Sequence, residues 1–315
     1  MSEPTFDAII PPPEKVPYPI VVSNPHSSVF LPEEYDPGLP ADITHFDMID
    51  LHVEKILDRV PHLNIPLLTQ LVSRYIIDVN KGLDEIHPSQ VQSHISPDMY
   101  RATPNTRNGL GLIPKMVRTK SGIQNIPGND NLSLNEIERR ISEYYQPYRT
   151  ALNETLSDIH REFGMSLLLD IHTMWRMPYR GLKSDVVLGH RDGLSCCPDI
   201  LKSATQFLQQ KGLTVQTERF YQGGNIIQSH FNLSQQKHAL QIEFANDLLV
   251  SPPDSFDADP DKISFLNDVM LGLIEHLGEF SLERLAMLRE QQKPSQTRIQ
   301  EPHQAHEDLS NGPTL

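Results

Sequence analysis

The sequence predicts an α/β fold with a single domain, in which a mixed, mostly parallel sheet is flanked by helices. Two observations predict this class. Short apolar runs typical of buried strands alternate along the chain with helical patterns, and this alternation is characteristic of parallel sheets. In addition, a long amphipathic pattern over 133–163 leads directly into the apolar run that begins at Leu167.

The length of the chain favours one folded domain with two flanking segments. The chain has 315 residues, and α/β enzymes of roughly 250 residues commonly fold as one domain. We expect an extended lead-in over 1–18, which contains Pro11-Pro12-Pro13, and a folded domain over 19–292. Residues 293–315 are predicted to form a disordered tail, because they hold too few apolar side chains to pack.

The composition excludes several classes of partner. The formal net charge of −14 leaves no broad basic surface for nucleic acid or an anionic membrane. No apolar run approaches the roughly 20 residues of a transmembrane helix, and Met1-Ser2-Glu3-Pro4 does not resemble a signal peptide, so we expect a soluble cytoplasmic protein. The two cysteines, Cys196 and Cys197, are neighbours, so any metal would need histidine and carboxylate ligands.

The first part of the domain is predicted to contain a strand, a short helix and a second strand. The first strand, over 20–23, runs into a polar segment that contains His26, and the helix over 50–57 follows. The pattern over 67–80 is strand-like. Residues 82–131 are rich in Gly, Pro, Asn and Ser, which predicts a long irregular loop of the kind that usually has a function.

The helix over 133–163 has clear signals at both ends. Ser133 and Glu136 have the spacing of a capping box. Gly164 stands where a helix is most readily terminated, and Pro147 is expected to kink the helix between these ends.

The second part of the domain is predicted to alternate strands with helices. It begins with the central strand, an apolar run from Ser166 that reaches Asp170 and His172. The elements predicted after it are a strand over 184–189, a helix over 199–211, strands over 213–218 and 238–244, and a helix over 261–276.

Two histidines and one aspartate stand where a metal ion could bind. His26 and His172 each come at the end of an apolar strand, and the carboxyl ends of parallel strands face one crevice. Asp50 lies at the start of the helix over 50–57, where a helix cap is the alternative interpretation. Two imidazoles, one carboxylate and a position left for water are typical of a catalytic zinc or a similar divalent ion. We therefore predict a divalent metal ion, most simply zinc, as the cofactor.

Two further acids are candidates for roles beside the metal. Asp170 shares a strand face with His172 and could orient this ligand, although a purely structural buried acid fits the pattern equally well. Glu243 interrupts the apolar segment Leu240-Gln241-Ile242-Glu243-Phe244, where an acid is costly unless it is paired or used. We predict Glu243 to be the general base, with a structural salt bridge as the alternative.

An anionic substrate would need a local cationic group. The planar guanidinium of Arg74 suits a carboxylate, and Asp78 and Asn80 lie on the same predicted strand. We expect Asp78 to order this strand and Asn80 to assist in binding, with Arg176 as a further binding candidate. A surface or structural charge is the alternative for each of these residues.

Six segments of the chain resemble the N-formylglutamate amidohydrolase family over roughly residues 20–250. In order, they are Asn24-Pro25-His26-Ser27-Ser28, Asp50-Leu51-His52-Val53-Glu54, Ser73-Arg74-Tyr75-Ile76-Ile77-Asp78-Val79-Asn80, Leu169-Asp170-Ile171-His172-Thr173-Met174, Leu188-Gly189-His190-Arg191-Asp192-Gly193, and Gly223-Gly224 with Ala239-Leu240-Gln241-Ile242-Glu243. Six segments in the order of the family are a specific signal.

The resemblance implies a zinc-carboxypeptidase-like, or phosphorylase/hydrolase-like, α/β fold. It also implies a hydrolase that acts on a non-peptide carbon–nitrogen bond, the formamide of N-formyl-L-glutamate, and releases glutamate and formate as in histidine breakdown. The partner of such an enzyme is a small anionic N-acyl amino acid.

Two alternatives stay open at this point. Lys81 stands where the family usually has Arg, and the Arg usual after the late glutamate is replaced within Ala245-Asn246. These differences motivate an amidohydrolase that acts on another N-acyl amino acid or small amide. The second alternative is a catalytically silent binding protein of the same fold, against which the retained His, Asp and Glu residues argue.

Overall fold

The computed structural model describes residues 4–35, 48–92, 101, 103–119, 122–217, 220–251 and 256–291. Within these ranges, strands form a seven-stranded sheet and a separate two-stranded hairpin. The strands are β1 Phe6–Ile9, β2 Ile20–Asn24, β3 Leu67–Gln70, β4 Met116–Thr119, β5 Gly122–Asn125, β6 Ser166–Met174, β7 Val186–Gly189, β8 Val215–Thr217 and β9 Lys237–Ala245.

The large sheet is mixed and mostly parallel, as predicted. Its strand order is β1-β3-β2-β6-β9-β7-β8, and the hairpin pairs β4 with β5. The four adjacent strands β3, β2, β6 and β9 run parallel to one another, whereas β1 and β7 run antiparallel to β3 and β9. The carboxyl ends of β2, β6 and β9 therefore meet at one edge of the sheet.

The central strands are buried on both faces. Every residue of β2 and of β6 is buried, which suits their near-continuous apolar sequences and the position of parallel strands between helix layers. In the parallel pairing of β6 with β9, His172 lies opposite Glu243 and Asp170 lies opposite Gln241. The register thus places four polar side chains in two facing pairs on these buried strands.

Helices flank the sheet in two groups. They are α1 Val53–Ile56, α2 Pro104–Arg107, α3 Leu134–Arg140, α4 Gln146–Phe163, α5 Pro198–Gln210, α6 Asn225–His230 and α7 Pro260–Gln291. One group covers the central strands, with α4 on β2, β3 and β6, and α6 on β6 and β9; in the other, α1 and α5 pack against α7.

The helical segment after Ser133 follows its sequence signals closely. The Ser133 hydroxyl accepts a hydrogen bond from the backbone N–H of Glu136 at 3.1 Å. A π-helical turn over Ile141–Tyr145 separates α3 from α4, and Pro147, which lacks an N–H, follows it directly in the first turn of α4. Gly164 ends α4 with a φ of 83°, a conformation that glycine adopts without strain.

Several element boundaries differ from those predicted. The strand expected over 67–80 ends at Gln70, and 73–80 form turns in which the backbone N–H of Asn80 donates to the Asp78 carboxylate at 2.9 Å. Such side-chain bonds to the backbone compete with strand pairing. The expected lead-in over 1–18 contributes β1 to the edge of the sheet, and the predicted tail over 293–315 lies outside the described residues.

The described part of the chain contains no helix that is both long enough and apolar enough to cross a membrane. Both cysteines are buried and free, as expected for neighbours in the sequence.

Candidate metal centre and active site

Four side chains from distant points of the chain converge on one cavity at the carboxyl edge of the sheet. His26 follows β2, His172 lies in β6, Glu243 lies in β9, and Asp50 precedes α1. All four are buried and line a cavity of about 330 Å³. The backbone N–H of Asp50 donates to the carbonyl of His26 at 3.0 Å, which joins the two loops that carry these side chains.

Three of these residues form a group that could hold a metal ion. One ligand atom from each of His26, Asp50 and His172 lies within 4.8 Å of the others. The Asp50 Oδ2 atom lies 2.7 Å from His172 Nδ1 and 3.4 Å from His26 Nδ1. The Nδ1 atom of His26 is buried and has no hydrogen-bond partner among the described residues. Two imidazoles and a carboxylate, with a buried His26 nitrogen that makes no hydrogen bond to the described residues, fit a divalent ion such as zinc.

Two carboxylates hold the far sides of the imidazole rings. The Nε2 atom of His26 lies 2.7 Å from Asp78 Oδ1, and the Nε2 atom of His172 lies 2.9 Å from Asp170 Oδ2. In addition, Asp170 accepts a hydrogen bond from the Ser23 hydroxyl at 2.7 Å. Carboxylates in this position fix the tautomer and the orientation of metal-binding histidines. This arrangement leaves both Nδ1 atoms directed at Asp50.

Neighbouring charges shift the pKa values of three side chains at this site. Burial disfavours a charge on Asp50, but the neighbouring His172 and His26 outweigh it and lower the pKa of Asp50 below its usual value. Burial alone would lower the pKa of His172, whereas Asp170 and Asp50 raise it well above the usual value. Burial also opposes the charge on Asp78, but Arg74 and His26 hold its pKa well below the usual value.

Glu243 lines the cavity and has one of its two carboxyl oxygens fixed by a hydrogen bond. The Nε2 atom of Gln241 donates to Glu243 Oε1 at 2.6 Å, and Gln241 Oε1 accepts from the backbone N–H of Gly224 at 2.9 Å. The Oε2 atom of Glu243 is buried and has no hydrogen-bond partner among the described residues. Burial raises the pKa of Glu243. A carboxylate held in this way is a suitable proton acceptor.

The amide of Asn80 is used to order the site. Its Oδ1 atom accepts a hydrogen bond from the backbone N–H of Ile226 at 2.7 Å, which places Nδ2 3.4 Å from Asp170 Oδ2 and 3.3 Å from His172 Nε2. The backbone of Gly224 packs closely against the Asn80 amide, since a Cβ atom on Gly224 would lie 2.4 Å from Asn80 Oδ1. This contact leaves no room for a side chain at Gly224, and Gly223 before it has a φ of 113°, which favours glycine.

The two arginines predicted to bind substrate differ in whether they line the cavity. Arg74 lines the cavity, but it donates to the Met48 carbonyl at 3.0 Å and to the Asp78 carboxylate. Arg176 is not among the described residues that line the cavity. Its guanidinium pairs with Asp247 at 2.7 Å and with Asp185 at 2.6 Å.

Sequence reasoning assigned no role to several residues that line the cavity, among them Gln241 and Lys81. Gln241 alternates with Glu243 along β9, so the period of two residues that places side chains on one strand face could have found it. Lys81 directly follows Asn80 and also lines the cavity, and the sequence marked it only as a difference from the Arg that is usual in the family.

Comparisons with known proteins identify the family. The family model of N-formylglutamate amidohydrolase matches residues 18–250. The chain is 25% identical to the N-formylglutamate deformylase of Pseudomonas aeruginosa over 275 residues, which is 85% of this chain and 96% of that protein. It is 22% identical to the N-formylglutamate deformylase of Pseudomonas putida, covering 84% of this chain and 94% of that protein.

A solved structure agrees with this result. The crystal structure of N-formylglutamate amidohydrolase from Ralstonia eutropha JMP134 superposes with a TM-score of 0.75 and 28% identity, covering 91% of this chain and 99% of that chain. Since the family model also covers well over half of the chain, the protein belongs to the N-formylglutamate amidohydrolase family and is a hydrolase of non-peptide carbon–nitrogen bonds.

Proposed function

We propose that this protein is a metal-dependent amidohydrolase that cleaves the formamide of N-formyl-L-glutamate to L-glutamate and formate. Membership of the family supports the reaction. The observation that carries the mechanism is the presence, at one cavity, of a His-Asp-His group and of a glutamate oxygen that has no hydrogen-bond partner among the described residues. As part of the same proposal, the reaction serves histidine breakdown, as the resemblance to the family implies.

His26, Asp50 and His172 would hold the metal ion, and zinc is the ion that we propose. Nitrogen and carboxylate oxygen ligands with room for a further ligand suit zinc in hydrolytic enzymes. When bound, such an ion supplies Lewis acidity, which polarises an amide carbonyl and lowers the pKa of water from 15.7 to about 7. Asp78 and Asp170 keep the two imidazoles in place by accepting hydrogen bonds at their Nε2 atoms.

Glu243 moves the proton in this mechanism. Its Oε2 atom accepts a proton from the attacking water while the water oxygen bonds to the formyl carbon. The carbon–nitrogen bond then breaks, and Glu243 returns the proton to the amine nitrogen, so that formate and the amino group of glutamate are released. Gln241 keeps the other carboxyl oxygen fixed, which leaves Oε2 as the oxygen without a hydrogen-bond partner among the described residues.

Arg74 contributes to substrate binding through its Nε–H group. Its Nε atom is buried and has no hydrogen-bond partner among the described residues, whereas its other nitrogens bind Met48 and Asp78. For Asn80 we propose an ordering role, because its amide already accepts from the backbone N–H of Ile226 and lies 3.4 Å from Asp170 Oδ2.

The test combines metal analysis with an assay of formate release. The purified protein, loaded with zinc, is expected to bind one ion per chain and to release formate from N-formyl-L-glutamate. His172→Ala should lose both the ion and the activity, whereas His62→Ala, at an exposed position remote from the cavity, should retain both. A His172→Ala variant with full metal content and full rate would refute the proposal.

A panel of N-acyl amino acids and small amides compared by kcat/KM separates the alternatives. The proposal requires N-formyl-L-glutamate to be the best substrate. A preference for another acyl donor would replace the substrate but keep the mechanism. Absence of bound metal and of hydrolysis for every member would indicate a binding protein instead.

A further inference from the structure

A buried hydroxyl, that of Ser23, lies next to the acid that holds His172. Ser23 belongs to β2, is fully buried, and lies opposite Asp170 in the parallel pairing of β2 with β6. Residues paired in this way present their side chains to the same face of a sheet. A hydroxyl at such a position must find its hydrogen-bond partners within the protein.

Ser23 has one hydrogen-bond partner on each side. Its Oγ atom lies 2.7 Å from Asp170 Oδ1 and 2.8 Å from the hydroxyl oxygen of Tyr148. A carboxylate only accepts hydrogen bonds, so the single hydroxyl proton of Ser23 is donated to Asp170. The bond between Ser23 and Tyr148 must then use the proton of Tyr148. The three groups therefore form a chain with one direction, in which Tyr148 donates to Ser23 and Ser23 donates to Asp170.

Tyr148 is held in place by its helix. It lies in the first turn of α4, which packs on β2 and β6, and its side chain is fully buried. Burial, with a further effect of the nearby Asp170, raises the pKa of Tyr148. The phenol therefore keeps its proton and remains a donor to Ser23.

The chain determines how Asp170 faces the metal-binding group. Ser23 donates to Oδ1, which leaves Oδ2 to accept from His172 Nε2 at 2.9 Å. Asp170 is fully buried, and Ser23 is the donor that the described residues supply to its Oδ1 atom. Without this bond the carboxylate would be free to turn towards another donor, and His172 would lose the acceptor that fixes its ring.

We propose that Ser23 and Tyr148 are positioning residues for the metal centre. Together they fix Asp170 in the orientation that holds the His172 ring with Nδ1 directed at Asp50, 2.7 Å from its Oδ2 atom. The inference rests on the proposed function, because it concerns the affinity of the proposed site for its ion. It extends the set of residues that order the site from the edge of the sheet to α4.

The affinity for zinc tests this proposal directly. It is measured by competition with a chromophoric chelator for the unaltered protein, Ser23→Ala, Tyr148→Phe and the double variant. Ser23→Ala should weaken zinc binding about 3- to 10-fold, less than the loss of the carboxylate itself. Tyr148→Phe should weaken it less than Ser23→Ala, because Ser23 can still donate to Asp170. The double variant should bind zinc as tightly as Ser23→Ala, because Tyr148 acts only through Ser23.

The stability of these variants should follow a different order. Tm is measured without added zinc, because a bound ion would itself raise it. Ser23→Ala leaves the Tyr148 hydroxyl buried without its partner and should lower Tm most. Adding Tyr148→Phe removes that hydroxyl, so the double variant should regain part of the Tm but none of the zinc affinity. Ser23→Thr adds a methyl group at a buried position and should lower Tm, yet its hydroxyl should restore the affinity.

Tyr144→Phe is the matched control. Tyr144 lies one turn before Tyr148 and is also buried, but its hydroxyl donates to Glu34 at 3.1 Å. This variant should bind zinc as the unaltered protein does. In addition, the KM for N-formyl-L-glutamate at saturating zinc should be unchanged in every variant, because neither Ser23 nor Tyr148 is among the described residues that line the cavity.

The outcomes separate this inference from the proposed function. A loss of affinity in Ser23→Ala that Ser23→Thr reverses and the double variant does not deepen would support the positioning role. An unchanged affinity in Ser23→Ala, losses that add in the double variant, or an affinity that follows Tm through the series would overturn it, while zinc binding by the unaltered protein stands. Failure of the unaltered protein to bind zinc would overturn the proposed function, and the inference with it.

Discussion

Replacement of Glu243 by glutamine would test the chemistry with the least disturbance of the structure. The side chain of glutamine has nearly the same volume as that of glutamate and keeps one oxygen. That oxygen could still accept the hydrogen bond from Gln241, which is 2.6 Å long in the present structure. The new amino group would take the place of Oε2, which has no hydrogen-bond partner among the described residues. We therefore expect Glu243→Gln to fold normally and to bind metal.

The loss of activity should nevertheless be large. A positioned general base contributes about 10²- to 10⁴-fold to a rate, or about 3–5 kcal/mol of activation free energy. Burial raises the pKa of Glu243, which makes its carboxylate a stronger base than that of an exposed glutamate. We therefore expect kcat to fall about 10³- to 10⁴-fold, in the upper part of this range, with little change in KM.

The assay is formate release under saturating N-formyl-L-glutamate, with zinc content measured on the same samples. Glu162→Gln, at an exposed position on α4, is the control and should keep the full rate. A Glu243→Gln variant that retains more than about one tenth of kcat with a full complement of zinc would refute the role of general base.

Two further predictions concern metal affinity and the dependence of stability on pH. Asp170→Asn should weaken zinc binding about 10- to 100-fold, because it removes the carboxylate that holds His172 Nε2; competition with a chromophoric chelator measures this, and an unchanged affinity would contradict it. His238 is buried, and burial, with a smaller effect of Arg284, lowers its pKa to about 4. Because this value lies below the unfolded value of about 6.5, the stability from keeping His238 neutral is present above pH ~6.5 and lost as the pH falls towards 4. This group alone should cost about 2 kcal/mol between pH 7 and pH 5. His238→Leu should reduce the difference in the free energy of unfolding between these two pH values, as measured by urea denaturation, and an undiminished difference would contradict the assignment.

The elements that could be predicted from sequence are those with strong local signals. The buried strands β6 and β9 were found because their apolar runs are nearly continuous, and α4 was found because Gly164 ends it. The helix expected over 261–276 continues to Gln291. It runs through Gly278, where the ring of Tyr18 packs so closely that a Cβ atom would lie 2.2 Å from it. A packing requirement of this kind between distant residues leaves no local pattern.

The residues of the candidate site could be predicted from the sequence, but the hydrogen bonds between them could not. His26, Asp50, His172 and Glu243 were singled out by their positions at strand and helix ends, and they do line one cavity. The sequence did not indicate that two nitrogens of Arg74 would donate hydrogen bonds to Met48 and Asp78. Met48 and Asp78 lie 26 and four residues from Arg74 along the chain, and turns bring them together. Such contacts depend on three-dimensional packing rather than on periodicity.

The pairing of β6 with β9 has a consequence for how this protein can change over time. Side chains on a strand alternate between the two faces of the sheet, so inserting or deleting one residue between Lys237 and Glu243 would turn the acid away from His172 and present an apolar neighbour instead. A substitution along β9 leaves this register unchanged. A change in the length of the strand, by contrast, removes Glu243 from its position opposite His172. Diversification of this enzyme is therefore confined to substitutions here, and gains or losses of residues belong in the loops around the cavity.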